Sequence, residues 1–186
     1  MAIQRELVER AQQGDLDAFS ALTVGRTNRL YQAARLILRD TSLAEDVVQD
    51  SLVRAWQDIR GLRDPDKFDA WLHRLLVRDC YRAAARNRKR TRIEVDIVDV
   101  SRPGPGNLAG DVETRDQVAR GFERLSPDQR TVIVLHHYLG FTLAESAEVL
   151  GIPLGTMQSR LFRALRRMRA ALEADDKSPV TGGGPG

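Results

Sequence analysis

Residues 142–169 read TLAESAEVLGIPLGTMQSRLFRALRRMR. Thr142-Leu143-Ala144-Glu145 is a capping box, in which a hydroxyl and a carboxylate three residues later each accept from the other residue's backbone N–H. The helix it opens reaches Leu150, and Gly151 ends it. After Ile152 a second helix is expected from about Pro153 to Glu173. A short helix, a tight turn and a second helix make helix-turn-helix spacing. Small Ala147 lets the two helices approach. Leu143, Val149, Leu150, Ile152, Leu154, Met157, Leu161 and Leu165 are expected to seal the bundle beneath them.

The second helix presents Thr156, Gln158, Ser159, Arg160, Arg163, Arg166 and Arg167 on its other face. Residues 156–172 contain no acid, whereas an ordinary solvated helix mixes signs. Its N-terminal turn carries the positive end of the helix dipole. Phosphate contacts made there position a protein on duplex DNA, while Gln, Ser and Arg side chains reach base edges in the major groove.

Upstream of this motif the chain reads as helix almost throughout. A helix over 3–12 ends near Gly14. Asp15 caps the next, which is expected to run to about Arg39 with Phe19, Leu22, Leu30, Ala33 and Ile37 on one face. Ser42-Leu43-Ala44-Glu45 reads as a capping box, followed by Ala44, Val48, Leu52, Ala55 and Ile59 at helical spacing, with Gly61 just past the end. Asp64-Pro65 opens a long helix whose buried face is Phe68, Trp71, Leu72, Leu75, Leu76 and Cys80. Arg74, Arg78, Arg82 and Arg86 follow at steps of four, with Trp71 and Tyr81 interleaved and a basic tail to Arg92. Basic and aromatic side chains together suit backbone contact and base stacking on a single strand. In 44–56, AEDVVQDSLVRAW, residues Glu45, Asp46, Gln49, Asp50 and Arg54 share the exposed side. No His, Cys or third acid converges on those acids, so a docking face is the better reading than a catalytic pair.

Residues 93–112, IEVDIVDVSRPGPGNLAGDV, cluster Pro and Gly and resist both helix and packed core, which makes them a linker. Helical signals resume near Val112, and Ser126-Pro127-Asp128-Gln129 joins an N-cap, a first-turn Pro and a capping box ahead of a helix that stops at Gly140. The tail DDKSPVTGGGPG is expected to be disordered. The organisation is all-α: two small helical bundles, 1–92 and 113–174, joined by the linker 93–112 and followed by the tail 175–186.

The 186 residues carry 29 Lys+Arg against 26 Asp+Glu, a net charge of only +3, so the partner is read from where the charges fall and not from their sum. A single cysteine, Cys80, forms no internal disulfide and reads as a buried thiol in a reducing compartment. The charged start MAIQRELVERAQQGD is not a signal peptide, and no run reaches the about 18 apolar residues of a membrane span. A cytoplasmic protein is expected. No nucleophile–base pair or metal-ligand spacing is present, so neither catalytic nor metal residues are assigned, no cofactor is expected, and the chain is not read as an enzyme.

With these motifs in this order, the chain resembles the extracytoplasmic-function sigma factors of the sigma-70 family over about residues 5–172. LAEDVVQDSLVRAW looks like that family's polymerase-clamp helix, FDAWLHRLLVRDCYR like the helix that opens and reads the −10 element, and 125–169 like the −35-binding domain. The resemblance implies that Asp46, Gln49, Asp50 and Arg54 face the clamp helices of the polymerase largest subunit. It implies that Arg63, Lys67, Phe68 and Trp71 hold a flipped −10 base while Arg78 and Arg82 track the melted strand. It assigns Thr156, Gln158, Ser159, Arg160, Arg163 and Arg166 to the −35 element.

Its implied partners are core RNA polymerase, including the flap of the second-largest subunit, promoter DNA and an anti-sigma factor, with no direct membrane contact. Gln158 stands where many relatives carry Lys or Arg, and Arg78 where Asn is common, so base preference is open at both elements. Two rivals remain at this stage. One is a stand-alone helix-turn-helix regulator that binds duplex DNA without polymerase; the other is a helical adaptor that binds no DNA.

Overall fold

The computed structural model describes residues 2–93 and 112–176. The linker interior, with its short apolar alternation Val95 and Ile97, and the tail beyond Asp176 lie outside the described residues. Among the described residues every regular element is helical: α1 (Ala2–Gln12), α2 (Leu16–Val24), α3 (Thr27–Leu38), α4 (Thr41–Asp58), α5 (Phe68–Ile93), α6 (Val112–Glu123), α7 (Pro127–Ile133), α8 (Leu143–Leu150) and α9 (Leu154–Asp176). Ile93 and Val112, read above as the linker ends, are helical, and α9 outlasts its expected end by three residues, from Glu173 to Asp176.

Several boundaries differ from expectation, each for a local reason. The helix expected from Asp15 to Arg39 is two helices, since the chain turns at Gly25-Arg26. The Asp15 cap is present and accepts from the Ala18 N–H. For α4 the cap is Asp40, whose carboxylate accepts from the Leu43 N–H, so Ser42 sits inside the first turn. Asp and Ser are comparable N-caps, and the earlier one wins. Asp64-Pro65 opens a 3₁₀ turn, Pro65–Lys67, that leads into α5. After α7 the chain widens into a π-helical turn, Val134–Tyr138, closed by the Leu139 N–H to the Val134 carbonyl at 2.9 Å. The wider turn also brings His136 Nδ1 to 2.8 Å from the Phe141 carbonyl oxygen.

The first unit packs α3 against α4 and α5, with α1 and α2 alongside; the second packs α6, α7 and α8 around α9. Val8, Leu22, Leu30, Ile37, Leu72 and Leu76 centre the first core, and Val132, Leu135, Met157 and Ala164 the second. Leu154 and Leu165, expected beneath the helix-turn-helix, are 44 % and 40 % exposed, because they fall outside the Met157, Leu161, Ala164 stripe that α9 buries. The two units also pack on each other: α3 and α5 meet α7, and α5 meets α8. The buried apolar residues of both belong to one cluster.

Candidate nucleic-acid and polymerase interface

The helix-turn-helix is built as its residues dictate. Both bonds of the Thr142–Glu145 capping box are made, and they hold the Glu145 carboxyl below its usual range, the Thr142 N–H contributing most. Gly151 takes φ 63° and, with Ile152, returns N–H groups to the Ala147 and Glu148 carbonyls, ending α8 in a Schellman turn. A side chain at Gly151 would be strained in that left-handed conformation.

On α9, Gln158, Ser159, Arg163, Arg166 and Arg167 are exposed, and Thr156 is half-buried. Ser159 Oγ donates to the Thr156 carbonyl at 3.0 Å, and Arg163 Nε donates to the Ser159 carbonyl at 3.2 Å. Arg160 departs from expectation: it turns toward α7, within 4.0 Å of Asp128, and is largely covered.

The α5 face carries Arg74, Arg78 and Arg82. Arg82 lies 3.6 Å from Asp79 and Arg78 is exposed on one side. Arg63 and Lys67 flank the start of the helix and are exposed, with Lys67 3.8 Å from Asp64. Trp71 is half-buried with its ring centroid 5.9 Å from that of Phe68. Phe68, expected to hold a flipped base, has no exposed surface: it is a core residue with the Arg26 guanidinium over its ring.

On α4, Asp46, Gln49 and Asp50 are exposed together. Arg54 instead turns inward, donating from Nη1 to Asp79 at 2.7 Å, where the Ser51 hydroxyl also donates at 3.1 Å. The pair ties the acidic helix to the basic one. No group of His, Cys, Asp and Glu able to hold a metal occurs among the described residues, and none of their helices is long and apolar enough to cross a membrane.

The family model for sigma-70 region 2 matches residues 26–90, and that for sigma-70 region 4 matches 115–168. The ECF RNA polymerase sigma-E factor of Salmonella typhimurium is 32% identical over 171 residues, covering 85% of this chain and 88% of the relative. The chain belongs to the extracytoplasmic-function sigma factors. Two solved structures share its fold. RpoE of Bartonella quintana, in a complex with the anti-sigma factor NepR, aligns at a TM-score of 0.68, 27% identity, over 84% of this chain and 98% of that one. CnrH, in complex with the cytosolic domain of CnrY, aligns at 0.64, 30% identity, over 93% and 99%.

In this sigma factor, sequence reasoning missed two features of the interface. Phe162 stands 62 % exposed on the outer face of α9, beside Arg163 and under the Arg166 guanidinium. Its three-residue spacing from Ser159 places it on that face. Asp79 is the other: an acid within a basic helix, 7 % exposed, whose role appears only once α4 packs beside it.

Proposed function

We infer that this chain, as an extracytoplasmic-function sigma factor, directs core RNA polymerase to promoters through its −10 and −35 elements. One observation carries the reading: a region 2 unit and a region 4 unit follow each other in a single chain matched over most of its length to a named sigma factor. The exposed acids Asp46 and Asp50, with Gln49 between them, are assigned to the polymerase clamp helices. Arg54 serves there by holding α4 against α5 through Asp79. Arg63, Lys67, Trp71, Arg78 and Arg82 are assigned to the −10 strand, and Phe68 to the core that supports them. Gln158, Ser159, Phe162, Arg163 and Arg166, with Thr156 at the helix start, are assigned to the −35 groove.

The chain acts by binding. Capturing unstacked bases offsets an unpairing cost of a few kcal/mol per base. We further assign an anti-sigma protein as its regulator, on the strength of the partners named for the two structural neighbours. An apolar cleft of about 290 Å³ between α3 and α6, α7 and α9, lined by Leu36, Phe122, Ile133, Tyr138, Leu165 and Met168, suits an apolar helix face of such a partner.

Run-off transcription with purified core polymerase and a promoter library tests the reading and yields both element preferences. Promoter-specific transcripts are expected. Binding to duplex DNA with no polymerase complex would replace the reading with a stand-alone helix-turn-helix regulator. Asp50→Arg is expected to weaken polymerase binding while isolated −35 binding persists.

A further inference from the structure

The turn that leads into α5 is held from outside itself. Between α4 and α5 the chain makes two 3₁₀ turns, Ile59–Gly61 and Pro65–Lys67, with residues 62–64 between them. Turns this short close few hydrogen bonds of their own. Those bonds include the Leu62 N–H to the Ile59 carbonyl and the Lys67 N–H to the Asp64 carbonyl, both at 3.0 Å. Ile59, Leu62 and Pro65 are buried and anchor the turns, while Arg63, Asp66 and Lys67 are exposed.

Further ties come from α1. Its Arg5, Val8 and Gln12 fall on one face, at steps of three and four. Gln12, the last residue of α1, commits both protons of its amide to the turn. Its Nε2 donates to the Ile59 carbonyl at 3.1 Å and to the Leu62 carbonyl at 2.7 Å. A peptide unit is planar, so fixing the Leu62 carbonyl fixes the peptide joining Leu62 to Arg63, and with it the direction in which Arg63 leaves. Arg5 pairs with Asp66, the neighbour of Lys67. Gln4 accepts from Arg26 Nη2 at 2.9 Å, and Arg26 in turn pairs with Asp69 in the first turn of α5 and lies over the Phe68 ring.

Burial of Val8 and Ala11 seats α1 on the core. Hydrogen bonds to two carbonyls do something apolar contact does not, because they are directional: they fix the orientation of the backbone they reach. The helix precedes residues 26–90, the segment matched by the region 2 model.

We propose that α1 is a positioning element for −10 recognition: Gln12 sets the peptide that aims Arg63, and Arg5 sets, through Asp66, the turn that carries Lys67. Both act through the turn and neither touches DNA. That role rests on the assignment of Arg63 and Lys67 to the −10 strand.

The experiment uses the full chain assembled with core polymerase. Affinity is measured for single-stranded −10 oligonucleotides differing by one base, and separately for a duplex −35 element. Exchange of the backbone amides over 59–67 is followed by mass spectrometry. Gln12→Met keeps the side-chain length and removes both donors. It should narrow the ratio of best to worst −10 base about five- to tenfold, the lower end of what one base contact discriminates. It should also speed exchange over 59–67 and leave −35 binding unchanged. Arg5→Asp sets two carboxylates face to face and should narrow the ratio too; adding Asp66→Arg reverses the pair and should restore it. The two side chains are 48 % and 42 % exposed, so neither change buries a charge. Phosphate attraction carries no sequence information, so the ratio does not move with charge alone.

An undiminished ratio in Gln12→Met or in Arg5→Asp overturns the part given to that residue. Equal falls in −10 discrimination and −35 affinity overturn the whole, since α1 would then be a general stabiliser. A native complex blind to the −10 base removes the assignment of Arg63 and Lys67. Native discrimination that survives in the variants while exchange over 59–67 rises removes the positioning role alone.

Discussion

Asp79→Ala removes the carboxylate that pins α4 to α5, and its cost can be worked from the contacts. The Arg54 bond at 2.7 Å is charge-assisted, a class that contributes about 1.5–3 kcal/mol. Arg54 keeps 42 % of its side chain in water, which re-solvates it when the partner is lost, so the lower end applies. The Ser51 hydroxyl has no exposed surface and loses its acceptor, at about 1 kcal/mol or somewhat more if it stays unpaired. Arg82, at 3.6 Å and 62 % exposed, adds at most a few tenths of a kcal/mol.

The sum is about 3 kcal/mol, or a fall in midpoint of about 6–12 °C for a chain of this size. Thermal unfolding followed by circular dichroism measures it. Ser51→Ala, which leaves the ion pair, should cost only about 1 kcal/mol. The coupling energy between Arg54 and Asp79, from a double-mutant cycle, should be clearly positive. A midpoint change under 2 °C for Asp79→Ala, or zero coupling, would show that the buried acid is not what aligns the two helices.

Two further outcomes follow from the same geometry. Phe162→Ala should weaken duplex −35 binding several-fold in a fluorescence-anisotropy titration and leave the unfolding midpoint unchanged, because its ring is outside the core; a large midpoint loss with unaltered binding would return it to a packing role. Burial, assisted by the Arg29 charge and only partly opposed by Asp69, pushes His73 down to about 4 from its ordinary 6.5. The folded pKa lies below the unfolded one, so the unfolded chain takes up the proton first. Stability is therefore full above about pH 6.5 and is lost as pH falls toward 4, by on the order of 2 kcal/mol after discounting for partial exposure. His73→Gln should flatten that part of the urea-denaturation profile, and an unchanged slope would assign the acid sensitivity elsewhere.

Local chemistry made much of this protein legible from sequence alone. Capping boxes at Ser126 and Thr142, the Asp15 cap and the Gly151 stop depend on a few neighbouring residues, and all four are formed. The all-α class, the helix-turn-helix and the acid-free outer stretch of α9 needed only periodicity and residue type. The misplacements share a cause. Phe68 and Trp71 sit on one stripe of α5, but only the packing of α3 and α4 around it decides that the first is sealed and the second half-open. Arg160 and Arg163 both look outward on a helical wheel until α7 brings Asp128 beside one of them. Asp79 reads as a stray acid until Ser51 and Arg54 arrive from a separate helix.

The seating of one unit on the other was the least readable feature, since Arg130 bonds a carbonyl 93 positions away in the chain. A carbonyl is present at every residue, so its use as a partner leaves no mark in the sequence. Side-chain type and spacing thus determined which helices form and which faces are basic. Long-range packing alone decided which charges remain available to a partner and which are already engaged by the chain itself.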